Sequence, residues 1–404
     1  MLYTVYEARR ALSAPMLAIA GLQSAALSRL PQSIAETRSV RSMRAVCDTV
    51  RALEITHRRP AFGIDAVEIA GEWVSIEEEV VSSTPFGTLL HFTKNDHWGH
   101  PRVLVVPGLA GHYGTLVRGT IRTMLPDHDV YVADWHNARD VATSHGRFGL
   151  DEYITHLIDF LTEIGPGAHL MAVCQPCVPA LAAAAIMAED THPAEPSSVI
   201  LMAGPVDARI NPGSVNGYAT RTSTRLLEHT VIQKVPPPYR GAGRRVYPGF
   251  LQVLGFMGMD PRRHAAAFTG LLRDTANGND AGAARTKTFY AEYFAVLDIT
   301  AEFYVDTLKA IFTEHHLARG CLKWNGRDVD PSAIRTALLT VEAENDELCP
   351  PGQTSAAHGL CTGIPAARKQ YHLQPGVGHY GVFNGSRFDQ EIYPVIKSFI
   401  AESD

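Results

Sequence analysis

The hydrophobic pattern changes period along the chain, and each change marks a different kind of element. Leu2, Val5, Tyr6, Leu12, Met16 and Ile19 fall near helical spacing, which predicts a helical stretch and then irregular chain to about residue 58. From Ile64 the period drops to two. Ile64 and Ala66 begin it, residues 73–81 and 88–94 continue it, and Ser82-Ser83-Thr84-Pro85-Phe86-Gly87 interrupts it with a turn. These segments read as antiparallel strands at a sheet edge. Arg102-Val103-Leu104-Val105-Val106 is apolar without alternation, as in a parallel strand covered on both faces.

Short strand candidates recur at 129–134, 169–174, 198–202, 337–341 and 370–373. Helical patterns lie between and after them: from Gly114 to about Leu125, over 150–164, from Pro176 to about Ala188, near 352–360, and over 387–400. Strand and helix alternating across short loops predict an α/β fold, a mostly parallel sheet with helices on both faces. In such sheets ligands bind at the carboxyl ends of the strands. The alternation stops between Pro205 and about Arg335. That segment is aromatic, has helical spacing over 289–312, and shows no convincing buried strand. An insertion of this length reads as a largely helical cap over the strand ends, placed before the strand at 337. The expected organisation is an N-terminal helical arm (1–60), a core (61–204 and 336–404) and the cap (205–335).

Composition narrows the function classes. Of the 404 residues 46% are hydrophobic and 19% charged, which suits a large core. A net charge of −6 argues against a nucleic-acid binder. Six cysteines (47, 174, 177, 321, 349 and 361) make neither a disulfide framework nor a metal-ligand pattern, so no metal and no cofactor is expected. No run of eighteen apolar residues exists, so no transmembrane helix is predicted. Residues 14–27 follow Arg9-Arg10 and loosely imitate a signal peptide, but Glu7, Gln23 and Ser24 favour an amphipathic helix packed on the domain. The expected location is reducing and cytoplasmic.

Candidate chemistry centres on His169-Leu170-Met171-Ala172-Val173-Cys174-Gln175-Pro176-Cys177, a buried strand that turns at once into a helix. A nucleophile on such a turn is the nucleophile elbow of the α/β-hydrolases, usually G-x-S-x-G. Here it reads Ala172-x-Cys174-x-Pro176. In that fold the chain order is nucleophile, acid, histidine. Cys174 follows a middle strand, Asp346 follows the strand after the cap, and His379 follows the last strand. A thiolate can attack an ester or thioester carbonyl, an imidazole can take the thiol proton, and a carboxylate can orient the imidazole. The start of the following helix favours the thiolate. Asp207, Glu344 and Glu347 are alternative acids. The oxyanion hole falls to the backbone N–H groups of Gln175 and Leu109, with Gly108 and Ala110 next in line. His112, Gly108 and Tyr380 are candidates to line the substrate site, although His112 could equally be a packed loop histidine.

Further residues carry a family resemblance. They are Met1-Leu2-Tyr3, Arg59-Pro60-Ala61-Phe62, Gly111-His112, Asp134-Trp135, Val173-Cys174-Gln175-Pro176 and Gly204-Pro205-Val206-Asp207-Ala208-Arg209. Gly243-Arg244-Arg245-Val246-Tyr247-Pro248-Gly249-Phe250-Leu251-Gln252, Ala356-Ala357-His358, Arg368-Lys369-Gln370 and Gly378-His379-Tyr380-Gly381 complete the set. Over nearly its whole length the chain resembles the intracellular polyhydroxyalkanoate (poly-3-hydroxybutyrate) depolymerases of bacteria. The resemblance implies a cysteine hydrolase with Cys174 as nucleophile, Asp346 as acid and His379 as base. It implies amorphous storage polyester as substrate and the storage-granule surface as partner; a homo-oligomer is compatible with it. Cys177 departs from the expected pattern.

Three other readings compete. A polyhydroxyalkanoate synthase shares the cysteine, aspartate and histidine but should carry glycines around the cysteine. A C-x-x-C redox protein would need Cys177. A catalytically inactive granule-binding protein would need neither.

Overall fold

The computed structural model describes residues 2–95, 98–213, 217 and 224–404. In chain order its strands are β1 (Ala66–Ile69), β2 (Glu72–Ser83), β3 (Gly87–Lys94), β4 (Arg102–Val106), β5 (Asp129–Trp135), β6 (His169–Val173) and β7 (Ser198–Met202). They continue with β8 (Gln233–Lys234), β9 (Arg245–Tyr247), β10 (Ile299–Thr300), β11 (Lys323–Trp324), β12 (Arg327–Asp328), β13 (Ala337–Ala343) and β14 (Lys369–Gln374). Nine of these form the central sheet in the order β1-β2-β3-β5-β4-β6-β7-β13-β14. The first four in that order pair antiparallel, and from β5 onward the strands are parallel.

The central parallel strands are largely apolar because both faces are covered, whereas the edge strand β14 is polar and mostly not buried. Every residue of β6, β7 and β13 is buried. One face packs on helices Leu150–Ile164 and Cys177–Glu189. The other packs on Arg118–Met124 and Tyr393–Ser403. From β4 the chain steps outward to β5 and then returns past β4 to β6. That reversal opens a crevice at the carboxyl ends of β4 and β6, where this kind of sheet binds ligands. Leu109 follows β4 and Cys174 follows β6, so both flank the crevice. This is the α/β-hydrolase fold.

Several expected elements differ in detail. Helical spacing over 289–312 resolves into helix Asp280–Tyr293, strand β10, helix Ala301–Thr307 and a π-type turn Leu308–Thr313. The break lies where residues 294–297 are tied to other backbone. Thr56 donates to the Phe294 carbonyl at 2.8 Å, Val296 to that of Thr56 at 2.8 Å, and Leu297 to that of Gly111 at 2.9 Å. Only Ala357–Leu360 of the expected 352–360 helix is α-helical. The segment between β7 and β13 does hold buried strand residues, Val246 and Ile299, in a three-stranded sheet β10-β9-β8. Runs of two or three residues carry no readable period.

The first helix, Leu2–Ser28, is anchored at its start. Tyr3 Oη donates to Asp298 Oδ2 at 2.6 Å, and Tyr6 stacks on Phe250 at 3.8 Å. Beyond that turn Ala20 and Ser24 face inward, while Leu12, Met16, Ile19 and Leu22 are exposed. The expected amphipathic packing is therefore inverted, because its small residues are the ones that fit against helix Arg38–Ala52. By length and composition Leu2–Ser28 is also long and apolar enough to cross a membrane. Its polar positions are mostly uncharged, so a search for an unbroken apolar run passes over it.

Candidate active site

Strand β6 ends at Val173, and Cys174 takes a left-handed backbone, φ 67°. A non-glycine residue adopts that conformation at some cost in free energy, so its surroundings must hold it. The Cys174 N–H donates to the Met202 carbonyl at 2.7 Å, and the Cys174 carbonyl accepts from the Cys177 N–H at 3.1 Å. Pro176 caps helix Cys177–Glu189, where its missing N–H leaves no hydrogen bond unmade. The glycine that the tight approach requires lies on the neighbouring strand's exit. A Cβ on Gly204 would fall 2.1 Å from Cys177 Sγ and 2.6 Å from the Cys174 carbonyl oxygen.

Strand register brings the other two residues to the same edge. Asp346 follows β13, and its Oδ1 accepts from the N–H groups of Leu348 at 2.9 Å and Cys349 at 2.8 Å. Its Oδ2 lies 2.7 Å from His379 Nδ1, and His379 Nε2 lies 3.2 Å from Cys174 Sγ. A carboxylate only accepts, so Nδ1 carries the proton and Nε2 faces the thiol. Asp346 and His379 are buried. Burial alone would depress the imidazole, but the charges of Cys174 and Asp346 and their hydrogen bonds outweigh it and hold His379 up to about 10.

Two cavities meet at His379. The larger, about 520 Å³, is floored by Leu109, Cys174, Gln175 and His379. Its walls are Phe256, Met259, Phe303, Tyr304 and Phe312 from the inserted segment. The smaller, about 110 Å³, is lined by Asp260, Arg263, His264, Asn345 and Glu347 together with the apolar Phe256, Met259, Phe289, Tyr293 and Leu348, and reaches His379 and Tyr380. The N–H groups of Leu109 and Gln175 form no backbone hydrogen bond among the described residues. The Gln175 amide is buried, and neither its Nε2 nor its Oε1 has a partner.

A family model described as PHB de-polymerase C-terminus matches residues 203–404, half of the chain. The chain belongs to this family. The matched half begins just past β7 and contains Asp346 and His379; Cys174 lies before it. Over 296 residues the chain is 23% identical to the poly(3-hydroxyalkanoate) polymerase subunit PhaC of Haloferax mediterranei, covering 70% of this chain and 54% of that protein. The chain thus spans about half the length of that relative. It is 23% identical over 297 residues to the PhaC of Allochromatium vinosum, with 70% and 75% covered. Among solved structures, Paleococcus ferrophilus monoacylglycerol lipase aligns with TM-score 0.40 at 14% identity, covering 75% of this chain and 95% of that one. The thioesterase domain from the curacin biosynthetic pathway aligns with TM-score 0.41 at 12% identity, covering 81% and 99%. The chain is a polyhydroxyalkanoate-related member of the α/β-hydrolase fold.

Not every candidate residue lines the large cavity of this family member. His112 is buried outside it, with its ring 5.1 Å from that of Tyr293 and 5.8 Å from that of Phe256, and burial depresses it to about 4. It is a packed loop histidine. Gly108 sits under Cys174 without lining the cavity, and Tyr380 lines the smaller one. Asp207 is engaged by Arg209 through two contacts of 2.8 Å. Glu344 accepts from the Gly376 N–H at 2.8 Å, and Glu347 lines the smaller cavity. Cys177 is sealed, with Sγ 3.5 Å from the Ala172 carbonyl, and burial pushes its thiol well up. A thiol held protonated and out of reach cannot take part in disulfide exchange.

The sequence reading missed the Gln175 side chain and the lining from helix Gly249–Met259. The latter left a signal, since residues 250–259 are apolar apart from Gln252.

Proposed function

We propose that the chain hydrolyses ester bonds of a poly(3-hydroxybutyrate)-type storage polyester, or its oligomers, through a thioester on Cys174. The acyl part of the substrate lies in the large apolar cavity. His379 takes the thiol proton, and Sγ attacks the ester carbonyl carbon. The resulting oxyanion is stabilised by the N–H groups of Gln175 and Leu109. As the tetrahedral adduct collapses, His379 gives its proton to the leaving alkoxide and the thioester forms. Asp346 keeps the ring in the right tautomer and balances its positive charge. Water then adds to the thioester with His379 as base, the thiolate leaves, and a carboxylic acid is released. Residues 205–335 act as the cap. Because such a substrate is an amorphous solid, the enzyme works at a granule surface in the cytoplasm.

The observation that carries this reading is that one imidazole, 3.2 Å from the Cys174 thiol, borders both a large apolar cavity and a smaller one of mixed lining. The large apolar cavity suits an acyl chain of several atoms, and the smaller one, with Asp260, Arg263 and Glu347 in its mixed lining, has room for water. The test is mass spectrometry after brief exposure to 3-hydroxybutyrate oligomers. An adduct of 3-hydroxybutyryl mass on Cys174, missing in Cys174→Ala, is expected. Unaltered turnover in Cys174→Ala would remove the reading.

The names of the relatives favour a second reading, acyl transfer from 3-hydroxyacyl-CoA to a growing polymer by the same three residues. Ala172 and Pro176, where a synthase is expected to carry glycines, weigh against it. Offering 3-hydroxybutyryl-CoA separates the two, since CoA release with polymer growth belongs only to the synthase.

A further inference from the structure

The large cavity is apolar over most of its lining, yet two of its polar side chains are buried with no partner. Gln175 is 6% exposed, and both amide atoms are sealed and unpaired. Thr307 is 8% exposed, and its Oγ1 is also unpaired. By contrast Gln252, on the same lining, donates to the Tyr247 carbonyl at 2.9 Å. Buried polar groups are normally satisfied, and leaving them unmade is expensive. The two sit on opposite sides of the space. Gln175 comes from the sheet edge beside Cys174, and Thr307 ends the helix Ala301–Thr307 of the inserted segment.

We infer that Gln175 and Thr307 read oxygen atoms along the acyl chain, so the site selects acyl groups that carry an ester or hydroxyl oxygen beyond the reacting carbonyl. A plain fatty acyl chain of equal length offers nothing to either group. It would leave both unpaired. With a change of rotamer that turns the buried group into the cavity, an ester carbonyl in the next unit accepts from Gln175 Nε2 or from the Thr307 hydroxyl. A terminal hydroxyl donates to Gln175 Oε1. The amide therefore suits both an internal unit and a chain end, and the rest of the lining suits the short alkyl branches between oxygens. This inference rests on Cys174 as the acylated residue.

The test compares two soluble esters with one leaving group, 4-nitrophenyl 3-acetoxybutyrate and 4-nitrophenyl 3-methylhexanoate. They match in length and branching and differ in the distal oxygens. The readout is the ratio of their kcat/KM values in the wild type, Gln175→Met, Thr307→Val and the double variant. The wild type should prefer the oxygenated ester. Each single variant should lower the ratio by roughly three- to tenfold, with the double variant near parity. A folding defect would slow both esters alike and leave the ratio in place. A wild type without preference, or variants that keep the full ratio, would overturn the inference. If Cys174 is acylated equally by both esters, the nucleophile stands and the selection falls. If Cys174→Ala cleaves both at the wild-type rate, the nucleophile itself falls.

Discussion

The loops at the sheet edge hold their side chains through hydrogen bonds to backbone, whereas residues 205–335 wall the same cavity with rings held by packing. On the first side, Asp346 is fixed by two N–H groups at 2.8–2.9 Å, and the Cys174 backbone is clamped to Met202 at 2.7 Å. On the second, Phe303 stacks on Tyr153 at 5.1 Å, and the rings of Tyr247 and Tyr304 lie 4.4 Å apart. Helix Gly249–Met259 also holds Gly255 and Gly258, where an added Cβ would meet nothing within 4 Å. Directional bonds set positions to fractions of an ångström, while packing tolerates repacking at modest loss. The hydrogen-bonded wall should therefore be brittle and the aromatic wall forgiving.

Asp346→Asn gives the largest expected effect. The amide keeps the shape but presents a donor to His379 Nδ1, which turns the imidazole to the wrong tautomer. Turnover of a soluble ester should fall by roughly 10²- to 10⁴-fold with folding retained. A loss under tenfold would mean that another acid orients the ring. Gly204→Ala tests the same wall through its backbone. With Cys177 Sγ 2.1 Å from the new methyl, the elbow must shift. A destabilisation of about 3 kcal/mol in urea unfolding is expected, and an unchanged midpoint would show that the elbow has slack.

The pH dependence has a definite sign. His379 binds its proton up to about 10 in the folded state, against 6.5 ordinarily, so between those values the folded state holds the extra proton. The stabilisation is complete below pH 6.5 and is lost as pH rises through about 10. Unfolding midpoints measured across this window should fall, and Asp346→Asn should flatten the slope. On the forgiving wall, Phe256→Ala should raise KM for oligomers a few-fold, by roughly 1 kcal/mol of lost apolar contact, and change kcat less. A collapse of kcat would place Phe256 with the brittle side.

The same contrast explains what the sequence disclosed. Strands β4, β6, β7 and β13 are apolar runs, and chain order alone pointed to Cys174, Asp346 and His379, which the fold brings within hydrogen-bonding distance of one another. Such features follow from local pattern and topology. Burial of the Gln175 amide depends on what packs over it from the inserted segment, and no local pattern encodes that. For His112 the loop position left two readings open, lining the site or packing in the loop, and burial against Tyr293 and Phe256 selects the second. Asp298 was invisible for a similar reason. Its buried carboxyl, raised to about 6 by burial, joins Tyr3 to the Gly249 N–H across the whole chain.

Cys177→Ser should have the smallest effect, although it lies three residues from Cys174 in the brittle wall. The serine oxygen is smaller than sulfur, so the contact with Gly204 relaxes rather than tightens. The sulfur already points at the carbonyls of Ala172 at 3.5 Å and Met202 at 3.7 Å, and a hydroxyl can donate to either. The hydrogen bond offsets most of the desolvation of the hydroxyl, so stability should change by about 1 kcal/mol or less. Ester turnover should stay within about twofold, because a thiol kept protonated by burial supplies no thiolate to the reaction. Steady-state rates and urea midpoints of the variant check both statements. Loss of activity on this substitution alone would make the second cysteine a chemical partner of the first, and the elbow would have to be read as a dithiol.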